Sequence, residues 1–139
     1  MTSGSTDAAT KAFENKEIVR RLMEDVLGRG RLQLLPELVA GDYVGHFAIG
    51  DHYGPEGVRI EVVAYRTAFP DLVVTLDDLL ADGDKVIRRF TVRGIHRGPF
   101  LAAAASGRPV VLRGIGIDRM VRGRLVESWV QVDGLPGMK

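Results

Sequence analysis

Residues 108–133 run Arg108-Pro-Val-Val-Leu-Arg-Gly-Ile-Gly-Ile-Asp-Arg-Met-Val-Arg-Gly-Arg-Leu-Val-Glu-Ser-Trp-Val-Gln-Val-Asp133. Two β-rich runs flank Met120-Val-Arg-Gly-Arg124, and Gly123 stands where a tight hairpin loop needs positive φ. The second run carries the chain's one tryptophan, Trp129, beside Ser128, with Gln131 and Asp133 following at a spacing of two. In a regular strand Ser128, Val130 and Val132 share one face, and Trp129, Gln131 and Asp133 share the other. A large aromatic among polar groups near the end of a small curved sheet suggests a pocket wall.

Working outward, the β period extends back to Asp71. Leu72 to Leu80 is expected as a first long strand, Asp82-Gly-Asp84 as a tight turn, and Lys85 to Arg97 as a second strand. Residues 98–107 form a loop before strands at about 109–119 and 124–133. Ahead of Asp71 the period is helical. Asn15 is a plausible N-cap for Ile18, Val19, Leu22, Met23, Val26 and Leu27, with Gly28 and Gly30 as the stop. A short helix is expected over Leu32 to Val39. Asp42 to Phe47 reads as a short strand or an irregular link, and Gly50 to Pro55 as turn chemistry. Val58, Val62, Tyr65 and Phe69 then recur at helical spacing until Pro70.

Helices first and antiparallel strands after is the α+β pattern. Gly94, Gly114 and Gly116 inside the strands suit a strongly curved sheet, which encloses a cavity rather than a solid core. Residues 1–14 are small and polar and are expected as a disordered tail; residues 15–135 form a single domain.

Bulk properties narrow the function. A chain of 139 residues is one domain, and its 45% hydrophobic and 27% charged content is that of an ordinary soluble globular protein. A net charge of +1 gives no field that argues for nucleic acid or a membrane surface. With no cysteine there is no disulfide, thiolate metal site or cysteine nucleophile, which fits a cytoplasmic protein. No stretch resembles a signal peptide or reaches transmembrane length. The three histidines lack a His-x-x-x-His or carboxylate pairing, so no metal site is expected.

Seven phrases occur in order: Asp42-Tyr-Val-x-His46, Gly54-Pro-Glu-Gly57, Phe69-Pro-Asp71, Ala81-Asp-Gly-Asp-Lys-Val86, Ile95-His-Arg-Gly-Pro-Phe100, Ser106-Gly-Arg108 and Gly123-Arg-Leu-Val-Glu-Ser-Trp-x-x-x-Asp133. Together they resemble the SnoaL-like polyketide cyclase family, within the nuclear transport factor 2-like superfamily, over about residues 15 to 135. The resemblance implies a cone-shaped α+β barrel with a hydrophobic cavity, a homodimer, and no metal or organic cofactor. It also implies a hydrophobic polyketide as substrate, in the biosynthesis of a natural product such as an antibiotic. In the family's aldol cyclases an acid/base aspartate immediately precedes the tryptophan of the last strand, and a histidine assists from the strand before. Here those places are Ser128 and Gly116, and a serine hydroxyl does not abstract a proton unaided. The resemblance therefore implies a cofactor-independent cyclase that closes rings by shaping its substrate. A hydroxylase or isomerase in the same pocket, and a non-catalytic binder of hydrophobic small molecules, are the alternatives.

Candidate catalytic groups are His46, Ser128 and Asp133. An imidazole titrates near neutrality, and a buried carboxyl gains a useful pKa; the competing readings are a strand-end hydrogen bond for His46 and a salt bridge or strand cap for Asp133. His52 lies in turn chemistry and is expected to be solvated, whereas His96 either fixes the loop after it or lines the cavity. Arg88 and Arg113, mid-strand, either partner an oxyanion or lay their stems along an exposed face. Tyr43, Tyr65, Phe69, Phe90, Leu112, Gly116 and Trp129 are the candidate substrate-binding wall, and Tyr43, Tyr65, Phe69, Phe90 and Leu112 are equally able to form core.

Overall fold

Helical periodicity gives way to β periodicity at Pro70; the computed structural model, which describes residues 3–137, has all its helices before that point but also sets two strands among them. Helix α1 (Ser3–Arg21) continues into a wider π turn, Leu22–Leu27, and Gly28 closes it by donating its N–H to the Met23 carbonyl at 3.0 Å. The helix starts twelve residues before Asn15, which lies 5% exposed in its interior instead of capping it. Alanine, lysine and glutamate dominate residues 8–17, and their helix propensity carries the helix through the stretch expected as a tail. Met1 and Thr2, also in that expected tail, lie outside the described residues. Residues 32–34 form a single 3₁₀ turn into the short α2 (Leu35–Leu38), and Pro55 in the first turn pre-organises α3 (Gly54–Ala68).

Six strands form one mixed sheet: β1 (Val39–Phe47), β2 (Gly50–Tyr53), β3 (Val73–Asp82), β4 (Lys85–Ile95), β5 (Pro109–Val121) and β6 (Arg124–Asp133). The order is β2-β1-β6-β5-β4-β3; β1 runs parallel to β6 and every other pair is antiparallel. The sheet is curved and open, with β2 and β3 as its edges. The stretch 42–47 is thus a strand, and β2 lies where turn chemistry was expected, because a four-residue edge strand shows no apolar alternation. Arg122 and Gly123, with φ of 51° and 78°, make the β5–β6 loop a two-residue turn of the primed kind that matches strand twist.

Curvature has visible causes. Register breaks fall at Leu76/Asp78 in β3 and between Arg119 and Met120 opposite β6. At Gly114 a methyl group would collide with the far end of the Phe90 ring, which approaches the backbone closely there. The concave face is roofed by α1, its π turn and α3. Val19, Met23 and Val26 from one side, and Val58, Val62 and Tyr65 from the other, meet Val86, Phe90, Val92, Leu112 and Val130 of the sheet.

Candidate active site

Strand parity decides which side chains can meet. Pairing is uninterrupted from Arg113↔Asp133 to Arg119↔Glu127, so β6 is regular between Ser128 and Trp129 and the two face opposite ways. The concave face receives Ser128, Val130 and Val132 of β6, Leu112, Gly116 and Asp118 of β5, Arg88, Phe90 and Val92 of β4, and Tyr43 and Phe47 of β1. Between this face and the helices lies a cavity lined by Leu22, Met23, Leu27, Tyr43, Phe47, Val58, Glu61, Val62, Tyr65, Arg88, Phe90, Val92, Leu112, Val130 and Val132. It is narrow: about 60 Å³ is open to the centre of a water molecule, within about 600 Å³ of space between atoms when the mouth is counted. The wall is almost wholly apolar.

Beside the cavity, on the same concave face, runs a buried polar chain. The Arg88 guanidinium grips Asp118 with two bonds, Nε to Oδ2 at 2.9 Å and Nη2 to Oδ1 at 3.0 Å. Ser128 Oγ donates to Asp118 Oδ1 at 2.6 Å, and Arg88 Nη1 reaches the Met23 sulfur at 2.8 Å. Asp118 and Ser128 are fully buried and Arg88 is 5% exposed, so the charges are compensated internally, as burial demands. The Tyr43 hydroxyl borders Ser128. Burial pushes the phenols of Tyr43 and Tyr65 well up, which keeps both neutral and able to donate.

Glu61 of α3 is the exception in the wall. It is 7% exposed, and burial pushes its carboxyl up to about 8 against the opposing charge of Arg88. Its Oε2 lies 3.2 Å from Nδ1 of His52 on β2 but outside hydrogen-bond alignment, and both atoms are buried without a hydrogen-bond partner. At neutral pH such a site presents an un-ionised carboxylic acid to an apolar space, a form able to donate to a carbonyl oxygen.

The residues expected as catalytic from the sequence do not gather here. His46 and Trp129 are on the convex face, stacked with ring centroids 5.8 Å apart. His46 is clasped by Glu127 at 2.8 Å and Asp51 at 3.2 Å, which raise its pKa, Glu127 contributing most. Asp133 is also on the convex face, exposed and opposite Arg113 in a shallow open groove. Ser128 is on the concave face, but its hydroxyl is committed to Asp118 and neither residue lines the cavity. At Gly116 a Cβ would sit 3.2 Å from Arg88 Nε and 3.1 Å from Val130, so Arg88 occupies the room a side chain there would need. Of the expected wall, Tyr43, Tyr65, Phe90 and Leu112 do line the cavity. Phe69 instead packs against His96 and over Gly94, and Trp129 is on the wrong face. His96 Nδ1 accepts from the Ser106 N–H at 3.3 Å, tying down the loop after it.

Glu61 and Asp118 were missed by sequence reasoning, though each left a signal. Glu61 lies three residues after Val58 and four before Tyr65, a charge inside an apolar helical stripe. Asp118 shares its parity with Leu112, Gly114, Gly116 and Met120, the inward positions of β5. Among the described residues no group of three or more histidines and carboxylates is placed to hold a metal ion, and no helix is long and apolar enough to cross a membrane.

The chain matches the SnoaL-like polyketide cyclase family over residues 17–139. It is similar in structure to a proposed SnoaL-like polyketide cyclase from Jannaschia sp. CCS1, with 23% identity, 88% of this chain and 87% of that one covered, and a TM-score of 0.80. IdmH, a proposed polyketide cyclase from Streptomyces antibioticus, shares 30% identity over 86% of this chain and 91% of its own, with a TM-score of 0.74. AclR, a proposed hydroxylase from Streptomyces galilaeus, shares 25% over 90% and 78%, with a TM-score of 0.76. No curated protein matches the sequence.

Proposed function

Because the chain belongs to the SnoaL-like polyketide cyclase family, we propose that it is a cofactor-independent cyclase acting on a hydrophobic polyketide in natural-product biosynthesis, in the cytoplasm and as a homodimer. The observation that carries this reading is the apolar slot between the curved sheet and its helical roof, whose polar wall groups are few. A flexible chain held there in a reactive fold loses its conformational entropy on binding rather than at the barrier. The slot is narrow, so the π turn is the natural part to yield. Leu22, Met23 and Leu27 of that turn line the slot, and methionine in particular adapts its shape to a ligand.

Incubating linear polyene polyketide precursors with the protein and separating the products by chromatography tests this. The expected result is a cyclised product formed faster than in protein-free buffer. Equal rates with and without protein overturn the reading. A second reading, cofactor-independent hydroxylation in the same cavity, is favoured by the likeness to AclR. It is distinguished by incorporation of label from ¹⁸O₂ into the product.

A further inference from the structure

On the reading that the cavity shapes a hydrophobic chain for ring closure, we propose that the Glu61 carboxyl is the catalytic group, donating a hydrogen bond to a substrate carbonyl conjugated with the closing segment, and that His52 is its positioning residue. Among the described residues Glu61 is the one carboxyl in the cavity wall, and its Oε2 is a buried polar atom without a hydrogen-bond partner in a mostly apolar lining. The other charged group of the wall, Arg88, is held by Asp118 and is not free to serve a ligand. An apolar substrate with no polar atom would leave Glu61 unsatisfied, whereas a carbonyl oxygen is the complement it lacks.

Charge builds on a conjugated carbonyl oxygen as the new carbon–carbon bond forms. A donor fixed in a dry site stabilises that charge without solvent reorganisation. The O–H stays on Glu61 throughout, so no proton is consumed and no co-reactant is needed. His52 is 3.2 Å away at Nδ1, and both side chains are largely buried, 19% exposed for His52 and 10% for Glu61, so the two polar groups share one dry corner. Burial sets the carboxyl's protonation and Arg88 opposes it; His52 on β2 and the neutral phenols of Tyr43 and Tyr65 are the other titratable groups near it. The carboxyl is left un-ionised at neutral pH, as donation requires.

The probe is a propionyl-dimethylaminonaphthalene dye, a neutral apolar ketone whose emission moves to the red when its carbonyl accepts a hydrogen bond. With wild-type protein on the acid side of neutrality, we expect red-shifted bound emission and affinity about tenfold above that of Glu61→Leu. Raising pH through about 8 is expected to move the wild-type emission to the blue. Glu61→Gln, which keeps a donor but does not titrate, is expected to stay red at every pH. His52→Gln is expected to move the midpoint of the wild-type pH profile while leaving the acid-side emission red; an unmoved midpoint removes His52 from the proposal. Leu112→Trp, which fills the slot, identifies the cavity-bound dye. Cavity-bound dye with the same emission and affinity in wild type and Glu61→Leu overturns the role of Glu61 and leaves the cyclase reading standing. Dye that Leu112→Trp does not displace, or that fails to bind, overturns both.

Discussion

At the scale of single residues, Glu61 has a consequence for stability that is independent of any substrate. Its carboxyl moves from an ordinary 4.5 to about 8 on folding, so the folded state holds the proton more tightly. The stability this confers is complete below 4.5 and is lost as pH rises through about 8, because ionisation in the apolar wall then opposes folding. Glu61→Gln removes the titration. Relative to that variant, the wild type is expected to lose on the order of a few kcal/mol between the two pH limits. Urea unfolding of both proteins across this range measures it, and parallel curves would show that the carboxyl ionises freely. The sequence hid this residue in plain view. Apolar periodicity on α3 was legible from Val58, Val62 and Tyr65, but a glutamate on the same stripe has the same spacing whether it points into a cavity or curls to solvent. His46, Asp133 and Trp129 were conspicuous by residue type; Trp129 and Asp133 lie on the convex face because β6 keeps strict parity past Ser128, and His46 of β1 joins them because it is in register with Trp129. Parity was readable; its absolute sense was not, since that depends on which face the helices cover.

At the scale of elements, the Arg88–Asp118–Ser128 chain fastens β4, β5 and β6 across their concave face, where backbone pairing alone would allow the sheet to flatten. Removing one partner leaves a buried charge uncompensated. Asp118→Ala is therefore expected to lower stability by about 3–5 kcal/mol, and Ser128→Ala by about 1–3 kcal/mol. The double variant Arg88→Met with Asp118→Leu replaces the pair by apolar groups of similar size and is expected to recover most of the loss. Denaturant midpoints for the three variants check this, and a double variant no better than Asp118→Ala sinks the account. Strands β3 to β6 were legible because alternation and turn residues agree along each of them. β1 and β2 were blurred, since β1 is held by a parallel neighbour far along the chain, as in Gly45 beside Ser128, and β2 is too short to show a period. Both are long-range or edge effects that no local pattern records.

At the scale of the whole molecule, the convex face bears the consequence of a sheet roofed on one side only. Ile115, Ile117 and Trp129 stand there 51%, 39% and 41% exposed, side by side on β5 and β6. Around them lie Arg113 and Arg119, with Glu127 and Asp133 on the neighbouring strand. Both signs of charge flank one apolar patch. A two-fold axis through it can therefore set the basic edge of each copy against the acidic edge of the other, while the rings and isoleucines leave water together. A stable contact of this kind needs about 800 Å² from each partner, which requires most of the face rather than the patch alone. The homodimer proposed above is accordingly expected to use this surface. Sedimentation of the wild type at micromolar concentration should give twice the chain mass, and Ile115→Asp, which points away from the cavity, should give the chain mass. Retention of dye binding by Ile115→Asp would separate assembly from the site, and a wild type that sediments as a monomer throughout would remove the second copy from the convex face.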